Sequence, residues 1–164
     1  MSINSARHFD KVILDSYEET PCSPTFEEFS GNVQGIRINA PDRVKVRFGA
    51  GEISPNSRIP FCVAMQFQSC FFAKLGDVYS HITVVMVDRR NGQSYSASLT
   101  PPDPTSEDVR NPNISPEILA ASTEQMFINV NLVNYLPLPA VKTVYDLYAT
   151  LAGEKSNSLV IEIR

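Results

Sequence analysis

The residues able to do acid-base, metal or thiol chemistry are few: two histidines, His8 and His81, and three cysteines, Cys22, Cys62 and Cys70. A general base at His81 would have Asp77 and Tyr79 close by in sequence, but base catalysis also needs a pocket and a partner within hydrogen-bond reach. A histidine opening a strand is more ordinarily a surface or structural residue, and His8 belongs to a terminal arm. Zinc sites call for Cys and His in closely spaced pairs, and no such pair occurs. Thiols on strands usually serve as small buried hydrophobes.

Motifs for nucleophilic or phosphate chemistry are missing as well. The chain has neither a Gly-x-Ser-x-Gly elbow nor a Gly-x-x-x-x-Gly-Lys loop. Gly49-Ala50-Gly51 reads as a turn, since no third glycine or helix follows it. The carboxylate pairs Glu18-Glu19 and Glu27-Glu28 fall in an acidic stretch where nothing would split their pKa values as acid-base work requires. The residues thus describe a chain that is not an enzyme, with neither cofactor nor metal.

Binding is better represented than catalysis. Arg43, Lys45 and Arg47 alternate along one strand face, with Arg37 and Arg58 near enough in sequence to extend the patch. Such a stripe suits an anion, a sulfated sugar or an acidic protein surface, while its ordinary role is to keep a strand edge solvated. Ser94, Ser96 and Ser98, and Asn129 and Asn131, form two rows of small polar groups that would suit carbohydrate or a second sheet. Tyr79, Tyr135 and Tyr148 stand outside the expected core as aromatic supports.

Bulk composition bounds these readings. At 164 residues the chain matches one domain with a sizeable core, and 43% hydrophobic against 20% charged residues is ordinary globular usage. A net charge of -4 repels phosphate backbones, so nucleic acid is an unexpected partner. No apolar run approaches the roughly 20 residues of a membrane helix, and the start lacks a secretory pattern. A cytoplasmic location is expected, non-classical export being the other route. Cys62 and Cys70 lie eight residues apart on or near one expected strand, too far for a bridge at about 3.3 Å per residue. Any disulfide must therefore use Cys22, and three free thiols are the simpler expectation.

The elements that would position these groups show a two-residue rhythm. Residues 15–29 hold Asp15, Glu18, Glu19, Glu27 and Glu28 with Pro21 and Pro24 and no basic residue, which suits an exposed arm; residues 9–14 offer a short first strand before it. From Gly35 onward, Ile36 and Ile38, then Val44, Val46 and Phe48, then Phe61, Val63, Met65 and Phe67 alternate with other residues. Residues 82–87 are β-branched on both faces and predict a central strand, with Asn91-Gly92 as a two-residue hairpin turn. Tyr95, Ala97 and Leu99 face opposite to the serine row. Five prolines between 101 and 116 predict a long connection ending in a short helix at 115–121. Met126, Ile128, Val130 and Leu132, then Tyr145, Leu147, Ala149 and Leu151, then Leu159, Ile161 and Ile163 complete the set.

About seven or eight antiparallel strands, each with one oily face, predict an all-β two-sheet sandwich with one short helix in a long loop. The expected organisation is an acidic arm over 1–30 and the sandwich over 31–164. The last forty or so residues, with Val144-Tyr145-Asp146-Leu147-Tyr148 leading to 159–163, resemble the final hairpin of immunoglobulin-like and fibronectin type III-like domains. That resemblance implies a corner in which the Tyr145 hydroxyl bonds to upstream backbone. The chain departs from the antibody pattern in having no Trp, and Leu147 where the second cysteine would fall.

The functional expectation is a non-catalytic protein-interaction or structural module, able to self-associate. The alternative is a carbohydrate- or anion-binding module using residues 43–47 or the polar strand faces. The candidate binding surface is Arg37, Arg43, Lys45, Arg47, Arg58 and Tyr148.

Overall fold

Period-two stretches become strands in the computed structural model of the chain, which describes residues 9–24, 34–100 and 122–164. The strands are β1 (Gly35–Asn39), β2 (Arg43–Val44), β3 (Pro60–Gln68), β4 (Ile82–Asp88), β5 (Ser94–Ser98), β6 (Thr123–Asn131), β7 (Thr143–Leu151), β8 (Glu154–Lys155) and β9 (Leu159–Ile163). β3 pairs antiparallel with β1 on one side and β6 on the other. The second sheet runs β2-β9-β7-β4-β5, with β8 against β7; its pairings are antiparallel except for the short parallel contact of β2 with β9. The two-sheet all-β sandwich expected from alternation is therefore present.

Its interior follows the rhythm residue by residue. Ile36, Ile38, Phe61, Val63, Met65, Phe67, Ile128 and Val130 pack with Ile82, Val84, Met86, Tyr145, Leu147, Ala149, Leu151, Ile161 and Ile163 in one core. Removing those side chains from water stabilises the fold by about 25 cal/mol per Å² of apolar surface. β4 lies between β5 and β7, as its β-branched composition predicts.

Three local expectations are corrected, and one helix is added. The first strand expected at 9–14 is instead a turn, in which the Val12 N–H donates to the Phe9 carbonyl; among the described residues the ladder contact nearby is an isolated bridge from Ser16 to Asn129. β3 ends at Gln68 as expected, and Cys70 near it lies on a helix that alternation did not show, α1 (Ser69–Leu75). Its Phe71 stacks on Phe67 at 4.1 Å between ring centroids, with Phe72 edge-on to Phe67 at 5.6 Å, so aromatic packing favours the helical turn. Gly76 ends the helix at φ 71°, a conformation L side chains rarely adopt. The hairpin after β4 has a longer loop than a two-residue turn: Asp88 N–H donates to Gln93 O, and Gly92 N–H to Asp88 O. Finally, the Tyr145 hydroxyl is buried without a hydrogen-bond partner among the described residues, so the corner bond implied by the resemblance is not made. The proline-rich connection and the helix expected at 115–121 lie outside the described residues.

The acidic stretch is not simply an exposed arm. Phe9, Val12, Cys22 and Cys62 form a second small core on the outer face of β3, where Cys62 is 0% exposed. Asn39, Cys62 and Asn129 are register neighbours across that face. Asn39 Nδ2 donates to the Cys22 carbonyl at 2.7 Å, and Asn129 Nδ2 to Ser16 Oγ and the Glu18 carbonyl at 3.0 and 2.8 Å. An Arg58 guanidinium nitrogen donates to the carbonyls of Phe9 and Val12 at 2.7 and 2.5 Å. Side chains from β1, from β6 and from the approach to β3 thus satisfy the backbone of a segment that adds no strand to the sheet.

The open edges are handled in the same way. Asn157 lays its amide against β1, accepting from Ile38 N–H at 2.8 Å and donating to Ile38 O at 3.1 Å, which imitates a neighbouring strand. Replacing Arg58 by Met keeps the apolar stem and removes both bonds to the N-terminal segment. The expected loss is about 2 kcal/mol by urea unfolding, with faster amide exchange over 9–24 and unchanged protection in β4 and β7. Equal stability and exchange in the variant would contradict the clamp.

Candidate functional site

Burial of Val44 and Val46 sets the orientation of the basic row. β2 runs beside β9, the Val46 N–H donates to the Arg164 carbonyl at 2.7 Å, and both valines point inward. Arg43, Lys45 and Arg47 therefore face solvent. Arg47 is held through its backbone: its N–H donates to Ser57 Oγ at 2.8 Å, and its carbonyl accepts from Ser57 Oγ and the Ser54 N–H. Asn131 holds the following turn, accepting from Ile59 N–H and donating to Ser57 O, each at 2.9 Å. That fixes Arg58 beside the row.

The result is a cleft of about 420 Å³ between the N-terminal turn, the segment around β2 and the approach to β3. Phe9, Pro41, Val44 and Pro60 give it apolar walls, and Arg43, Lys45, Arg47 and Arg58 give it charge, opposed by Asp10. Arg43 leans on Glu162 at 3.3 Å, an exposed pair worth little in water. Neither Lys45 nor Arg47 has an ion-pair partner among the described residues. Arg58 uses one nitrogen on the N-terminal carbonyls, while its buried Nε has no partner. A cationic cleft with oily walls attracts an acidic group that also brings apolar surface.

Four of the six residues expected to form a binding surface therefore meet, and two do not. Arg37 lies on β1 outside the cleft lining. Tyr148 lies on β7 with the Lys155 ammonium 4.3 Å from its ring centroid, also outside the lining. Phe9, Asp10, Pro41 and Pro60 were not anticipated as part of a site. Their signal is weak, because a wall made by a distant turn leaves no spacing pattern.

Of the other candidates, Ser94, Ser96 and Ser98 stay exposed on β5, and the rest that lie among the described residues resolve into structure. His81 Nε2 lies 3.1 Å from the Leu75 carbonyl at the end of α1, an ordinary role for a ring at a helix C-terminus. His8 lies outside the described residues. Among the described residues no three His, Cys, Asp or Glu side chains are placed to hold a metal ion, and no helix is long and apolar enough to cross a membrane. Asn129 and Asn131 are engaged by their own chain and present no polar row to a sugar. A smaller cleft of about 250 Å³ is lined by Glu52, Ile53 and residues 133–138.

One buried titratable cluster closes an end of the sandwich. Asp88, 0% exposed, accepts from Thr143 Oγ1 and Arg90 N at 2.8 Å and from an Arg90 guanidinium nitrogen at 3.3 Å. Burial alone would raise its pKa, but those bonds and the Arg90 charge outweigh burial and hold it below the usual carboxylate value. Its neighbour Tyr145 is pushed up to about 12, by burial first and then by the Asp88 charge. A carboxyl lowered on folding adds stability that is full above its unfolded pKa, near 4, and is lost as pH falls through the lower folded value. Asp88→Asn should cost about 1–3 kcal/mol at pH 7, with the gap to wild type narrowing from pH 5 to pH 2 in thermal or urea unfolding. A gap independent of pH would show that the carboxylate charge is not what matters.

The chain matches no family model, no curated protein and no solved structure.

Proposed function

We propose that this chain is a non-catalytic interaction module whose basic cleft receives an acidic segment of a partner protein. One observation carries the reading: on a molecule of net charge -4, four cationic side chains surround one apolar-walled cleft, and three of them, Lys45, Arg47 and Arg58, lack an ion-pair partner among the described residues. Opposite charge speeds encounter and selects partners, and the walls reward burial of an accompanying side chain. Each exposed charge pair contributes only about 0.2–1 kcal/mol. Affinity then depends on several pairs acting together with that burial.

A second reading uses the same residues for a small sulfated or carboxylated ligand. The cleft volume supports it, since about 420 Å³ falls within the usual small-ligand range of roughly 300–1,000 Å³.

A fluorescent peptide rich in Glu and Leu should bind the wild-type chain with affinity that falls as salt is raised. Lys45→Glu with Arg47→Glu should weaken binding at least about tenfold without lowering the melting temperature, because both side chains point into solvent. Competition by a sulfated oligosaccharide but no peptide binding would favour the second reading. Undiminished peptide binding by the double variant would remove the cleft from both.

A further inference from the structure

The sequence allows a disulfide only through Cys22 without naming its partner, and the fold supplies one. Cys22 and Cys62 are separated by forty positions in sequence, yet both are buried in the same four-residue cluster with Phe9 and Val12. Asn39, the register neighbour of Cys62 on β1, donates to the Cys22 carbonyl at 2.7 Å. The Thr20 hydroxyl accepts from the Cys22 N–H at 3.2 Å. Cys70 is elsewhere, on α1, with its Sγ 3.7 Å from Gln68 Oε1. All three cysteines are free thiols.

We infer that Cys22 and Cys62 are a redox pair, and that oxidation by a low-molecular-weight disulfide such as glutathione disulfide joins their sulfurs and staples the N-terminal segment to β3. One protein thiolate attacks glutathione disulfide and releases one glutathione, leaving a mixed disulfide. The second protein thiolate attacks that bond, forms the Cys22–Cys62 disulfide and releases the second glutathione. Two protein thiols are oxidised, one glutathione disulfide is reduced, and the two protons pass to the departing glutathiones.

The surroundings set the tempo. Burial raises the Cys22 thiol, and burial followed by the neighbouring Cys22 pushes Cys62 up to about 12, so both stay protonated while the segment is closed. Exchange therefore runs through transient opening of the N-terminal segment, the part held by side-chain clamps instead of a strand ladder. The closed bond then removes freedom from a long loop of the unfolded chain.

The test uses the full chain carrying Cys70→Ser, incubated folded with glutathione disulfide, acid-quenched, unfolded, alkylated and digested with trypsin. The expected product is peptide 12–37 joined to peptide 59–74, with a melting temperature raised by about 10 °C and restored to its starting value by dithiothreitol. Adding Cys62→Ser should abolish both. Mapping the wild-type chain by fragmentation of the same peptide pair keeps the test independent of whether a variant folds. Recovery of Cys22 and Cys62 alkylated, carrying glutathione alone, or linked only between two molecules would overturn the pairing.

Discussion

Strand β3 has no solvent face along most of its length, and much of the remaining structure answers that constraint. Phe61, Val63, Met65 and Phe67 fill the space between the sheets, while Cys62 and Ala64, on the opposite side, are equally buried. Something must lie over that outer side, and the N-terminal segment does so with Phe9, Val12 and Cys22. An irregular segment laid on a sheet brings carbonyls that no ladder can satisfy. Arg58, Asn39 and Asn129 meet that need, and Arg58 then becomes one wall of the basic cleft. Fold and candidate site share this arginine.

The same economy governs the sheet edges. β1 would present unpaired N–H and C=O groups, and Asn157 covers one residue of it with a side-chain amide; β6 is met by the backbone of Ser16. Each device uses a polar side chain or a short bridge where a further strand would otherwise be needed. Such contacts are individually modest, about 0.5–1.5 kcal/mol for a neutral hydrogen bond, so the N-terminal cover opens more readily than the central strands β4 and β7. The thiol pair under that cover and the cleft at its rim are thus both tied to how firmly it is held.

Alternation made the sandwich legible, because a buried face every second residue leaves a direct trace in Ile36 and Ile38, in Val44 and Val46, and in Tyr145 through Leu151. The second face of β3 was traceable too: Cys62 and Ala64 are apolar where Gln66 and Gln68 are not, and that break marks where cover begins and ends. What covers it was only partly legible: Phe9, Val12 and Cys22 dock by their side chains, but without a two-residue rhythm, and the rest of residues 9–24 is held by backbone carbonyls, which every sequence has. The helix at Ser69–Leu75 was hidden for another reason: Phe71 and Phe72 continue an oily run, and only the stack on Phe67 decides between strand and helix. At the site, the row of Arg43, Lys45 and Arg47 was visible, and Arg58 joins it through Asn131, seventy-odd positions away. Arg37 and Tyr148 show the limit of alternation, which indicates the face of a strand but not which residues on other strands share its patch.

Recognition is proposed to happen in the cleft at the rim of the N-terminal cover. Backbone amide chemical shifts recorded by NMR during titration with an acidic peptide address it directly. Perturbations confined to Phe9 and Asp10, residues 43–47 and residues 56–58 are the expected result. Shifts centred on the outer face of β7 and β4 around Tyr148, with residues 43–58 silent, would contradict it.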